Sequence, residues 1–316
     1  MMSVLDRKIL VAVDGSYCSR NEIQYLVEMF SGEQNISFHL LCIVSGGTST
    51  VVGSEWVDST DVLSHLSAAV KPKYLLAQKH LDEEMNLLKR QGFSENQISG
   101  VVQLDRAGVA NDLILEARKG QYDAIIMGRR GLGKIHELFM GSITKAVLEK
   151  CYDIPVWVVD GKVESRKILV PVDGSFHVLR AVDHLSYMLK DMPQAEVTLF
   201  HSEALLRRKK EHPVEDFYAQ WGRKWCEENL TKPDDATFHA PEQVLVDSGF
   251  SREKIKRAKS HIGIEPARDI YSYLKKHNFG TIVMGRRGAD EATWLLGSIS
   301  ERLLYTAENL AIWMVH

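Results

Sequence analysis

The segment MGRRGLGKIHELFMGS, residues 127–142, holds glycines, basic side chains and hydroxyls at spacings that suit an anionic ligand. Gly128, Gly133 and Lys134 keep the interval of a Walker A loop, but Ile135 follows where that loop needs a hydroxyl to hold magnesium. A second reading takes Gly128, Gly131 and the pair Gly141-Ser142 as the meaningful positions, with nine residues between Gly131 and Gly141. Glycines three apart let the backbone turn and approach a ligand without Cβ obstruction. Gly141-Ser142 then opens a helix whose first amides lack partners, and such a terminus favours an anion by about 0.3–2 kcal/mol per charge contact. The hydroxyls of Ser142 and Thr144 can donate to the same anion, and Arg129 and Arg130 add long-range attraction. Taken singly, a Gly-x-x-Gly is common and Gly141-Ser142 could be a plain helix cap. The combination carries the signal.

The second chemical element is Asp14, which ends the apolar run of residues 9–13. In a doubly wound sheet, ligands sit beyond the carboxyl ends of the strands at the topological switch point. With strand order 3-2-1-4-5, the strand before Asp14 lies beside the strand before Gly128. A carboxylate accepts hydrogen bonds from sugar hydroxyls but repels phosphate oxygens, so an acid facing an amide-rich loop divides the labour as a nucleotide requires.

The elements that must position these groups are written twice. RKILVAVDGS at residues 7–16 returns as RKILVPVDGS at 166–175, an offset of 159. GFSENQI from Gly92 matches GFSREKI from Gly249, IIMGRRG from Ile125 matches IVMGRRG from Ile282, and the segment from Gly141 matches that from Gly297, in the same order. Two copies of one domain follow, at residues 1–160 and 166–316, joined by the polar stretch 161–165. Within the first copy, aliphatic runs at 9–13, 38–44, 98–104, 124–127 and 154–159 read as buried parallel strands. Between them, 18–30, 74–91, 109–119 and 142–150 read as helices, the second stopped by Gly92 as a left-handed cap. The fold class is therefore α/β: two tandem doubly wound domains, each a five-stranded parallel sheet of order 3-2-1-4-5 flanked by helices. Residues 45–72 read as a mobile loop, and 202–245 as their less regular counterpart, in which Phe217, Trp221 and Trp225 form an aromatic stripe on one helix face that covers the sheet.

Composition sets limits. With 45% apolar and 26% charged residues and a net charge of −3, the chain has the mixture of a globular protein and no chain-wide attraction for nucleic acid or an anionic membrane. No apolar stretch approaches the roughly 18 residues of a membrane span. Cys18, Cys42, Cys151 and Cys226 lack zinc or disulfide spacing and read as reduced thiols, which places the chain in the cytoplasm.

The strand ILVAVDGS, the element G-x2-G-x9-G-S and the final strand after IPV resemble the universal stress protein family, and the repetition resembles its tandem members. The resemblance spans essentially the whole chain and implies ATP, with ADP and AMP as alternatives, bound together with Mg2+. By that likeness Asp14 lies near base and ribose, Val13 and Met127 flank the base, and Gly128, Gly131, Gly141, Ser142, Ile143 and Thr144 surround the phosphates. The corresponding second-copy residues are Val172, Asp173, Met284, Gly285, Gly288, Gly297, Ser298 and Ser300. That copy departs from the pattern: eight residues separate Gly288 from Gly297, and Asp290-Glu291 stand where the first copy has Gly133-Lys134. The site is therefore expected to be most intact in the first copy.

No residue pattern proposes a strong catalyst or a metal site. There is no G-x-S-x-G elbow and no HExxH, His136 reads as a solvated loop residue and His201 as a satisfied strand residue. The expected function is a nucleotide-dependent regulatory or stress-response protein, the alternatives being a slow ATP-hydrolysing or adenylating enzyme and a scaffold that binds nothing. The resemblance also implies that the last strands of the two copies meet in an intramolecular pseudo-dimer, with homodimerisation of the chain as a further expectation.

Overall fold

The structure is a computed structural model that describes residues 7–14, 19–46, 66–130, 140–192, 195–202, 214–230, 236–259, 265–286 and 298–316. The chain divides into two units, Met1–Gly161 and Lys162–His316, each an α/β body built on a parallel sheet.

In the first unit the described elements are β1 (Arg7–Ala12), α1 (Ser19–Phe30), β2 (Ile36–Val44), α2 (Lys71–Arg90), β3 (Ile98–Leu104), α3 (Val109–Lys119), β4 (Ala124–Gly128), α4 (Ser142–Lys150) and β5 (Val156–Asp160). Every strand pairing is parallel and the order is β3-β2-β1-β4-β5. The aliphatic runs predicted this, because a strand covered by helices on both faces has no polar side to show: Ile9, Leu10, Val11, Ile125 and Ile126 are all fully buried. Helix α1 lies over β4 and β5, where Phe30 stacks on Trp157 at 6.0 Å between ring centres.

The boundaries differ from expectation where proline acts. Helix α2 begins at Lys71 rather than at residue 74, because Pro72 occupies its first turn, where a missing N–H costs nothing. Strand β5 begins at Val156 rather than at 154, following Pro155, which has no N–H to give the ladder. At the other end of α2, Gly92 takes φ +97° and the Phe93 amide donates to the Leu88 carbonyl at 3.3 Å, closing the helix as expected. Phe93 then packs edge-on against Phe38.

The second unit contains β6 (Ile168–Pro171), α5 (Phe176–Leu189), β7 (Val197–His201), α6 (Val214–Trp221), α7 (Arg223–Asn229), α8 (Ala236–Asp247), β8 (Ile255–Lys259), α9 (Pro266–His277), β9 (Thr281–Gly285), α10 (Ser298–Thr306) and β10 (Leu310–Val315). Its order, β8-β7-β6-β9-β10, repeats that of the first. The segment expected to be irregular holds three helices. The aromatic stripe does not lie on one of them: Gly222, at φ +79°, breaks the run between Trp221 and Trp225, a conformation that side-chain-bearing residues rarely adopt. The rings still meet, Trp221 stacking on Trp225 at 5.9 Å. Phe217 and Trp221 turn edge-on to Phe176 at the start of α5, so the aromatics cover that helix end. Residues 161–165 are not wholly polar in setting either, since Val163 is buried.

Candidate functional site

Parallel pairing of Val11 with Ile126 puts the carboxyl ends of β1 and β4 side by side, so the chain leaves both strands at the same rim. There the first unit has a cavity of about 660 Å³. Its lining comprises Val13 and Asp14 beyond β1, Met127, Gly128 and Arg130 at the end of β4, and Met140 to Thr144 at the start of α4. Cys42 of β2, Glu22 of α1 and Lys73 and His80 of α2 complete its polar wall.

Local hydrogen bonds hold the glycine segment. The Gly141 amide donates to the Arg129 carbonyl at 2.8 Å, and the Thr144 hydroxyl donates to the Gly128 carbonyl at 2.7 Å. Together these clamp the end of β4 to the first turn of α4. The buried Thr144 hydroxyl therefore spends its proton on the backbone, which corrects the expectation that it donates to an anion. Ser142 is exposed, and the amides of the first turn of α4 have no partner within the helix. The two arginines are likewise less free than expected. Asp160 of β5 accepts from Arg129 Nε at 3.0 Å and from Arg130 Nη2 at 2.8 Å, which offsets their charge while holding Arg130 at the cavity wall.

The opposite wall is acidic. Asp14 is exposed at the rim, whereas Glu22 is 2% exposed, and its Oε2 has no hydrogen-bond partner among the described residues. Burial lifts the Glu22 carboxyl well above the ordinary carboxylate range, and the negative charges of Asp14, Glu84 and Asp160 push the same way. Burial also pushes the Cys42 thiol up to about 11, with Asp14 adding to the effect.

Of the residues singled out by sequence, Val13, Asp14, Met127, Gly128, Gly141, Ser142, Ile143 and Thr144 line this one cavity, and Gly131 and His136 lie outside the described residues. Sequence reasoning missed Glu22, Cys42, Lys73 and His80. For Glu22 a signal existed: at the repeat offset of 159 the second copy has Ala181.

In the second unit Val172 is buried, its amide donating to the Phe200 carbonyl at 2.8 Å, and Asp173 is exposed, its Oδ1 accepting from the Ser175 amide at 3.0 Å. Met284 and Ser300 are buried, and Gly285 lies so close to the His177 backbone that a side chain there would collide with it. Gly288, Gly297 and the Ser298 side chain lie outside the described residues. His201 is satisfied as expected, its Nδ1 standing 2.7 Å from the Val172 carbonyl oxygen.

The family model described as the universal stress protein family matches residues 7–160 and again residues 164–309. A solved universal stress protein from Archaeoglobus fulgidus DSM 4304 superposes with a TM-score of 0.61 at 17% identity, covering 100% of this chain and 99% of that one. A functionally unknown protein from Pseudomonas aeruginosa PAO1 superposes with a TM-score of 0.53 at 16% identity, covering 99% and 93%. At these identities the likeness is one of fold. No curated protein matches the sequence.

Proposed function

The chain belongs to the universal stress protein family, and on that premise we propose that its first unit binds an adenine nucleotide and acts as a nucleotide-dependent regulatory protein. The observation that carries this reading is the cavity of about 660 Å³ at the carboxyl ends of β1 and β4, walled on one side by the start of α4. Its size lies within the range of roughly 300–1,000 Å³ typical of small-molecule sites. Its position is the switch point at which doubly wound sheets hold ligands.

The residues fit the ligand in its parts. The first-turn amides of α4, which have no partner within the helix, and the exposed Ser142 hydroxyl suit the phosphates, where Gly128 and Gly141 present backbone without side chains. Val13 and Met127 offer apolar contact to the base, and Asp14 accepts from the ribose hydroxyls. Magnesium would arrive with the phosphates, since among the described residues no group of three His, Cys, Asp or Glu could hold a metal by itself. A ligand that binds only the folded form stabilises it by mass action and alters the surface around the cavity mouth, the basis of a regulatory response to nucleotide level. We place this action in the cytoplasm. Cys42, Cys151 and Cys226 are buried free thiols, which suits a reducing compartment, and no described helix is long and apolar enough to cross a membrane.

The test is to denature freshly purified protein and identify any released small molecule by mass, together with calorimetric titration of the ligand-free chain with ATP. An adenine nucleotide in the release, or saturable uptake of ATP that Asp14→Ala weakens, is the expected result. A chain that releases no nucleotide and takes up none refutes the reading.

A further inference from the structure

The second repeat has Ala181 where the first has Glu22, and in the fold the difference falls on the cavity. Glu22 sits in the first turn of α1, which packs on β4. Its carboxyl lies against Gly128: a Cβ on that glycine would collide with Oε1 and stand 3.3 Å from Cδ. Its Oε2 has no partner among the described residues although the group is almost wholly buried. An unpartnered carboxylate in such a place is costly, whereas a carboxylic acid has a proton to offer a ligand.

We propose that Glu22 is a specificity-determining group of the first-unit cavity, a neutral carboxylic acid that donates a hydrogen bond to a phosphate oxygen of the bound nucleotide. The inference rests on the reading of this cavity as a nucleotide site and concerns its phosphate end. Gly128, which Glu22 touches, is clamped through Thr144 to the first turn of α4, so the acid and the start of α4 meet at one region of the cavity wall.

The surrounding charges favour the neutral form. Asp14 faces Glu22 from the end of β1, Glu84 from α2 and Asp160 from β5, all of one sign. Three nearby arginines serve other carboxylates: Arg20 of α1 stands 3.8 Å from Glu84, and Arg129 and Arg130 bind Asp160. Lys73 and His80 of α2 line the cavity with Cys42 of β2, His80 Nδ1 standing 3.6 Å from Glu83. A bound phosphate adds a further negative charge beside Glu22 and holds the proton more firmly. Once Glu22 of the empty protein ionises, each binding event must return a proton to it, so affinity for the nucleotide falls as pH rises.

The experiment is calorimetric titration of the full chain with Mg·ATP and with adenosine between about pH 6 and pH 9, in buffers of different ionisation enthalpy, for the wild type, Glu22→Gln and Glu22→Ala. The expected result is that wild-type affinity for ATP drops with pH, relative to Glu22→Gln, by at least about tenfold, the lower end of the worth of one hydrogen bond to a charged group. The drop is accompanied by proton uptake that Glu22→Gln lacks, and adenosine, which carries no phosphate, shows neither. Glu22→Ala, which has no donor, binds Mg·ATP more weakly than Glu22→Gln at every pH. An infrared band of a protonated carboxyl in ATP-bound wild type, missing from Glu22→Gln, gives a second readout independent of affinity. Wild type and Glu22→Gln with the same pH profile and the same proton uptake would overturn the role of Glu22 while leaving the nucleotide site standing. A wild type that binds no ATP at any pH overturns both.

Discussion

Substituting Gly128 by alanine, alone and together with Glu22→Ala, measures the packing on which the site depends. A methyl group at position 128 would collide with Glu22 Oε1 and stand 3.0 Å from the Arg130 carbonyl oxygen. Glu22 is 2% exposed, so its carboxyl makes room only by turning into the cavity it lines and leaving its place against Gly128. Forcing such an atom into a filled site costs about 1–3 kcal/mol. With alanine at position 22 the colliding carboxyl is gone and only the Arg130 carbonyl contact is left, so the same methyl costs about 1 kcal/mol, the low end of that range. The difference, a coupling of up to about 2 kcal/mol, falls in the range of residues in contact rather than of independent sites. The cost of Glu22→Ala by itself mixes a new void with relief of a buried unpartnered oxygen, and the cycle subtracts it. Because the chain has two units, one global free energy of unfolding is not defined. Amide hydrogen exchange in peptides from β1 and β4 reads the opening of the first unit directly. Protection lost in Gly128→Ala and largely restored in the double variant is the expected pattern. An equal loss in both backgrounds would show that the carboxyl does not lie against Gly128, and the argument for a hydrogen-bond donor at the phosphate end would fail with it.

Three further outcomes follow from particular groups. Asp160→Asn weakens the anchor of two arginines, one of them 3% exposed in its side chain; breaking a buried pair of this kind costs about 3–5 kcal/mol, read as a lower denaturant midpoint of the first unit. Cys42, pushed from 9.0 to about 11, carries about a hundredfold less thiolate than an ordinary cysteine in alkaline buffer; mass spectrometry of iodoacetamide-treated native protein should find its labelling slower than that of free cysteine by at least that factor. His184, beside Trp313 in the second unit, is lowered by burial from 6.5 to about 3. Below about pH 6.5 the unfolded imidazole takes a proton that the folded one refuses, so the second unit loses stability as pH falls toward 3, by at most about 1.4 kcal/mol per pH unit, and gains none above that window. His184→Gln should flatten this limb in urea titrations, and an unchanged slope would show that His184 is not the group responsible.

The parts of the fold that were legible in the sequence are those in which local pattern and tertiary setting agree. Residues 98–104, 109–119 and 142–150 fall at their expected bounds, because a both-faces-buried strand and an amphipathic helix each carry an unmistakable period. The repeat made the strand order plausible, since two domains written alike must both be satisfied by one topology. The misses have local causes. Pro72 opens α2 a turn early, and Gly222 breaks the chain between Trp221 and Trp225, so a periodicity of four spans two helices rather than one. At the site, the sequence pointed to residues that approach a ligand through their backbone, because glycine spacing is visible in one dimension. It did not show that the Thr144 hydroxyl is already committed to Gly128, or that Asp160 gathers Arg129 and Arg130, because these partners are 16 to 31 positions apart.

Glu22 shows why an acid can be read past. An acidic residue in the first turn of a helix is what the macrodipole favours, and sequence alone gives no reason to look further. The second unit supplies the missing control. It builds the same strand order with Ala181 at the corresponding position, fully buried, so the fold does not require a carboxyl there. Burying one in the first unit carries a desolvation cost that an alanine avoids, and the carboxyl lies where the helix meets the glycine end of β4. A group that folding does not need, held without a partner for one of its oxygens at the wall of a cavity, is best explained by what enters the cavity.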